Sequence, residues 1–252
     1  MLIDTQLHIV DPGQFPIDVS GGGYVPNQDE YGDLRTLLKT LAENRIDRGV
    51  LVQPSCYGTD NAALFDACQQ EPGCFRAVAM VEPAGLSRNF ASGVRLNLTD
   101  YTAHDPATAI GIGNKVLALG MILQIQATPE RLGKVLSMLP PGPVIIDHLG
   151  RPDPRAPDDV RAVAELAMRP ETWLKVSGGF RLGTTWKTPS IALRRLVQDW
   201  PPDRVIWGSD WPFLNVQGPP PRYSETLAWG SDLIDLRVAS RNAARLFGWQ
   251  DD

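Results

Sequence analysis

Residues 204–212, RVIWGSDWP, run through a short apolar stretch into Asp210, and two other segments of the chain close in the same way. Residues 2–10, LIDTQLHIV, deliver Gln6 and His8, and residues 143–150, PVIIDHLG, deliver Asp147 and His148. In an eightfold α/β barrel the C-terminal ends of separate strands converge on one pocket. Polar side chains that end otherwise apolar strands are therefore expected in a site rather than on the surface. The chain has only three histidines, and two of them, His8 and His148, hold such positions.

Working outward, β-rich apolar runs alternate with segments carrying apolar residues at helical spacing, the signature of parallel βαβ units. Eight runs are expected as strands: residues 2–9, 49–55, 76–83, 93–98, 118–126, 143–149, 173–178 and 204–209. Helices are expected over 30–46, 61–71, 128–138, 158–169, 189–199 and 233–247. Only about nine residues, Ala84 to Ser92, separate the third strand from the fourth, where a parallel crossover with a full helix usually takes a dozen or more. The expectation is one α/β domain over residues 1–252, a single distorted (β/α)8 TIM barrel with a shortened crossover between strands 3 and 4. The Gly- and Pro-containing stretch Asp11 to Asn27 follows the first strand on the face where barrels carry substrate loops, and is expected to form a lid.

Composition narrows the function. With 252 residues and 43% apolar content the chain can bury a large core, and no apolar run of membrane-spanning length occurs. Met1 leads straight into the first strand, so a cytoplasmic, soluble protein is expected. Cys56, Cys68 and Cys74 have neither metal-type spacing nor an even number, and are expected as packed thiols. A net charge of -5 without a dense basic tract argues against nucleic acid, so an anionic substrate has to be held by locally placed arginines. Nothing in the sequence reports an oligomeric state.

The segments IDTQLHIV, VQPSCYGTDN, GVRLN, IIDHLGRPD, KVSGGFRL and VIWGSDWP resemble, in that order, the motifs of the amidohydrolase superfamily. The likeness is strongest to its lactonase branch, which includes 2-pyrone-4,6-dicarboxylate lactonase, and it spans nearly the whole chain. The resemblance implies a lactone-hydrolysing barrel in which Asp210 is the general base. One departure is informative: metal-dependent members of the superfamily carry HxH on the first strand, where this chain has Gln6-x-His8, similar to D-galactarolactone isomerase.

The chemistry of the residues points the same way. A catalytic zinc needs three protein ligands, and the fifth strand offers the amides Gln124 and Gln126 with no Lys or His. His8, His148 and Asp210 form the one set able in principle to take a metal, and neutral amides add little to it. No metal and no cofactor are expected. Hydrolysis then needs a base, Asp210, and donors for the developing oxyanion, His8 and His148, with Gln6 sharing the strand face of His8. A strand-end Asp can instead cap a turn, and Asp147 can simply orient His148. For the substrate, Arg95 and Asn97 share one face of the fourth strand as a carboxylate-gripping fork. Arg181 follows a Gly pair that lets backbone approach a ligand, although a plain surface arginine competes with that role. Ser55, Tyr57 and Gln124 complete the expected set. His104, in the loop Tyr101 to Pro106, is assigned to the surface or to a helix cap, and Arg35, Lys39, Arg161 and Arg194 to the barrel exterior.

The expected activity is metal-independent hydrolysis of a small anionic lactone bearing a carboxylate, either 2-pyrone-4,6-dicarboxylate-like or a sugar-acid lactone. Two alternatives remain open at this point: a lactone isomerase, for which Gln6 speaks, and a catalytically silent lactone-binding barrel, for which the short third crossover speaks.

Overall fold

Eight strands pair in parallel and in chain order: β1 (Ile3–Leu7), β2 (Arg48–Val52), β3 (Phe75–Ala79), β4 (Gly93–Asn97), β5 (Ile122–Gln126), β6 (Val144–Ile146), β7 (Thr172–Val176) and β8 (Val205–Trp207). The structure is a computed structural model describing residues 1–17, 24–82, 84, 86–87, 91–99, 105–183 and 186–249. The ring closes just beyond β8, where the Asp210 N–H donates to the Gln6 carbonyl and the His8 N–H to the Trp211 carbonyl, each at 2.9 Å. This is a (β/α)8 barrel, as the alternation of runs predicts.

Side chains two residues apart on a strand share a face, and this period builds the interior in two tiers. Ile122, Ile145, Trp173 and Ile206 join Ile3, Val50, Val52 and Val78 in one apolar cluster, closed by Phe247 and Trp249. One step further toward the C-terminal strand ends, the same faces carry Gln124, Asp147 and Lys175, all fully buried. The lower tier is a hydrophobic plug, and the upper tier is polar. A larger cluster, including Leu7, Leu37, Leu51, Leu96, Leu123 and Leu174, packs the outer strand faces against the helices.

The helices are α1 (Leu34–Glu43), α2 (Ala62–Gln70), α3 (Pro106–Ala118), α4 (Pro129–Ser137), α5 (Pro157–Glu165), α6 (Ile191–Asp199), α7 (Tyr223–Ser231) and α8 (Leu236–Phe247). Their starts are written locally: Asp33, Ser190 and Asp235 accept hydrogen bonds from first-turn N–H groups of α1, α6 and α8, and α3, α4 and α5 open with proline. Among the described residues between β3 and β4 there is no α-helix, in line with the short crossover.

Two helices were not anticipated, α3 and α7. The sequence assigns no helix before a strand starting at residue 118, whereas α3 runs to Ala118 and β5 starts at Ile122. The segment is apolar nearly all round and holds Gly111 and Gly113, so it shows no helical stripe. Gly113 has a packing reason: a Cβ there would come within 2.7 Å of Leu139 Cδ2, so the glycine lets helix and neighbour approach closely. No helix among the described residues is long and apolar enough to cross a membrane.

Candidate active site

A cavity of about 590 Å³ opens at the C-terminal ends of the strands. Its polar lining includes His8, Ser55, Arg95, Asn97, Gln126, Arg151, Arg181, Lys187 and Asp210, and its apolar side is made by Phe180, Trp186, Leu214 and Pro219 to Pro221. Of the residues expected from sequence, His8, Asp210, Arg95, Asn97, Arg181 and Ser55 line it. Gln6, Gln124, His148 and Tyr57 do not. His104 lies outside the described residues, as does part of the expected lid, from whose described end Tyr24 reaches the cavity.

Asp210 is held in the left-handed region at φ 71° and is almost completely buried. Its Oδ1 lies 3.3 Å from His8 Nε2, and its Oδ2 accepts a 2.7 Å hydrogen bond from Arg181 Nε. Burial opposes ionisation, but Arg181 beside it, together with the histidines, holds this carboxyl well below the usual carboxylate range. It is an anion at neutral pH. His8 Nδ1 lies 2.7 Å from the Val52 carbonyl, which can only accept, so Nδ1 carries a proton and Nε2 is the nitrogen turned to Asp210.

His148 sits just under the cavity, at φ 53°, with Nδ1 2.9 Å from Ser177 Oγ. Burial pushes its imidazole down to about 3, against the pull of Asp210 and Asp147, so the ring is neutral. Gly178 explains how the ring fits. A Cβ at that position, itself at φ 58°, would lie 2.6 Å from His148 Nδ1. The glycine thus makes room for His148 rather than for a ligand, which corrects the expectation.

Below His8 lies a fully buried polar network that includes a group not anticipated from sequence, Lys175. Its Nζ is 2.6 Å from Gln6 Oε1 and 3.1 Å from Asp147 Oδ1. Gln124 Nε2 donates to Gln6 Oε1 at 3.0 Å and to Asp147 Oδ2 at 2.9 Å. Burial pushes Lys175 down and Asp147 draws it back, and Asp147, despite its own burial, is lowered by Lys175, so the two stand as an internal ion pair. Gln6 and Gln124 lie fully buried beneath the site, outside the cavity lining. The available signal was a lysine one strand period from Trp173 in the otherwise apolar TWLKV.

Arg95 is similarly committed. One terminal nitrogen donates to the Gln53 carbonyl at 2.9 Å, the other to Gln126 Oε1, and Nε lies 3.9 Å from Asp147 Oδ2. Asn97 donates to Ser55 Oγ at 2.8 Å. The Tyr57 hydroxyl turns away to accept the Asp11 N–H at 3.0 Å.

These donors do not fit a catalytic metal. Gln6 offers its oxygen to Lys175 and Gln124, so an ammonium takes the electron pairs a metal would need. Among the described residues no three His, Cys, Asp or Glu side chains are grouped to hold a metal ion.

Comparison with known proteins agrees with this architecture. A family model described as Amidohydrolase matches residues 3–249. The 2-pyrone-4,6-dicarboxylate hydrolase of Comamonas testosteroni is 31% identical over 246 residues, covering 85% of this chain and 78% of that protein. A 4-sulfomuconolactone hydrolase of Hydrogenophaga intermedia is 28% identical over 83% of this chain and 74% of its own length. Among solved structures, a probable 2-pyrone-4,6-dicarboxylic acid hydrolase of Acinetobacter baumannii with citric acid bound superposes with a TM-score of 0.80 at 28% identity, over 98% of this chain and 99% of that one. Strand order, the placement of Asp210 and His8 at the strand ends, and these likenesses agree: the chain belongs to the amidohydrolase family.

Proposed function

We propose that this chain, acting as one barrel domain in the cytoplasm, hydrolyses a carboxylated lactone without a metal, with Asp210 as the base. The observation that carries the proposal is the ionised Asp210 at the foot of a cavity that also presents His8, Arg95 and Arg181. Water bound to the carboxylate attacks the lactone carbonyl carbon and gives its proton to Asp210. The carbonyl oxygen becomes an oxyanion, stabilised by the imidazolium form of His8, which carries a proton on Nε2 as well as on Nδ1. The tetrahedral centre then collapses, the ring C–O bond breaks, and the departing oxygen takes the proton from Asp210. Cationic lining suits a substrate bearing carboxylate or sulfonate, in keeping with what the two curated relatives are named for, and the Phe180 and Trp186 side suits a flat ring.

The isomerase alternative drew on Gln6, whose side chain is fully buried against Lys175 and Gln124 and is absent from the cavity lining, which favours hydrolysis. The test is incubation with a panel of acidic lactones and NMR identification of products. A ring-opened hydroxy acid or its keto form supports hydrolysis, a rearranged lactone supports isomerisation, and tight binding without turnover supports a silent barrel.

A further inference from the structure

A general base has to offer a lone pair that water can reach, and at Asp210 each oxygen already faces a polar partner in a nearly closed setting. Oδ2 is taken by Arg181 Nε at 2.7 Å, Oδ1 faces His8 Nε2 at 3.3 Å, and the side chain is 1% exposed. An attacking water has to displace one partner. His8 is pinned from behind by the Val52 carbonyl and is 3% exposed. Arg181 is 15% exposed, stands on the short turn Gly179–Arg181 after β7, and lines the cavity. Besides Asp210 it is held by a 3.0 Å hydrogen bond to the Leu214 carbonyl and by stacking over the Phe180 ring, neither of which is an ion pair.

We propose that Arg181 is a substrate-operated latch: an anionic group of the substrate takes its guanidinium from Asp210 and so opens Oδ2 to the attacking water. The proposal rests on the lactonase function above. For an anionic substrate the exchange replaces one charge-assisted contact with another, whereas a neutral lactone must break the contact with nothing in return. Departure of the cation also strengthens the base. Of the cations whose charge reaches Asp210, namely Arg181, Arg95 and Lys175, Arg181 is the most exposed, at 15% against 5% and 0%. Selectivity for acidic substrates then appears in the chemical step as well as in binding.

The test is Arg181→Met assayed on an acidic lactone and its neutral methyl ester. A latch gives opposite signs: kcat/KM for the acid falls roughly tenfold or more, because a charge-assisted contact is lost, while kcat for the ester rises about threefold or more with a stronger base. In the wild type with the acidic lactone, the acid limb of kcat, which reports the complex, lies at higher pH than that of kcat/KM, which reports the free enzyme. With the ester the two limbs coincide. If the ester slows together with the acid, Arg181 supports the fold, and if the ester is unaffected and the wild-type limbs coincide, Arg181 is an ordinary binding residue. Either result overturns the latch. Should Arg181→Met fail to fold, the wild-type limb comparison decides alone. A wild type inert on every lactone defeats the lactonase function instead. The latch is then decided by pyridine-2,4-dicarboxylate, which must bind and move the ¹³C titration of the Asp210 carboxyl upward; no binding, or binding without that movement, overturns it.

Discussion

Asp210 combines a left-handed backbone and near-complete burial, both of which cost free energy, with an arginine and a histidine that offset the burial of its charge. Its role as base makes one prediction. Asp210→Asn keeps the shape and one acceptor but cannot take a proton, so kcat should fall by about two to four powers of ten with KM little changed. Steady-state kinetics decides, and a variant with near-wild-type kcat removes Asp210 from the mechanism. Lys175 makes a second. Replacing it with Met strands the buried Asp147 charge and should cost roughly 3 to 5 kcal/mol. Lys175→Met with Asp147→Asn removes both charges and should recover most of that loss in urea unfolding. A double variant as unstable as the single would mean that Lys175 stabilises through Gln6, not through Asp147.

At the scale of elements, the seam between β1 and β8 is held by Asp4. Its Oδ1 accepts the Gln6 and Ser209 N–H groups, each at 2.9 Å, and its Oδ2 accepts the Tyr223 hydroxyl of α7 at 2.7 Å. Among the described residues no cation faces it, and burial pushes its pKa up from 3.8 to about 6 against those hydrogen bonds. Between these two values the folded protein holds a proton that the unfolded chain has lost, so stability present below 3.8 is lost as pH rises through 6, by roughly 3 kcal/mol. Asp4→Asn keeps an oxygen for the two N–H groups without the charge, so its melting temperature should exceed that of the wild type more at pH 8 than at pH 5. The opposite trend would show that the donors favour the anion. The elements themselves were legible in unequal measure. β1, β6 and β8 announce themselves as apolar runs ending in polar residues. By contrast, α3 is nearly apolar all round and broken by glycines, because Gly113 answers to Leu139 across the chain rather than to local propensity.

For the whole molecule, a chain of net charge -5 gathers Arg95, Arg151, Arg181 and Lys187 around one cavity, so the field at the site runs against that of the protein. Of these four, Arg95 and Arg181 were legible in the sequence, because strand ends converge and a strand's period places Arg95 with Asn97, whereas Arg151 and Lys187 were not. The polar floor was not legible either, because Lys175, Gln6 and Gln124 come from three strands and Asp147 from the turn after β6, and they meet only across the barrel. This floor also leads to the last prediction. Lys175 supplies a fixed positive charge beside Gln6 in a fully buried setting, so a divalent ion there would have to displace an ammonium and add further charge near Arg95. Exhaustive treatment with EDTA, followed by dialysis, should therefore leave lactone turnover unchanged, and elemental analysis of the purified protein should find well under one zinc, manganese or iron per chain. Stoichiometric metal, with activity lost on chelation and restored by adding the ion back, would show that a metal rather than His8 polarises the carbonyl.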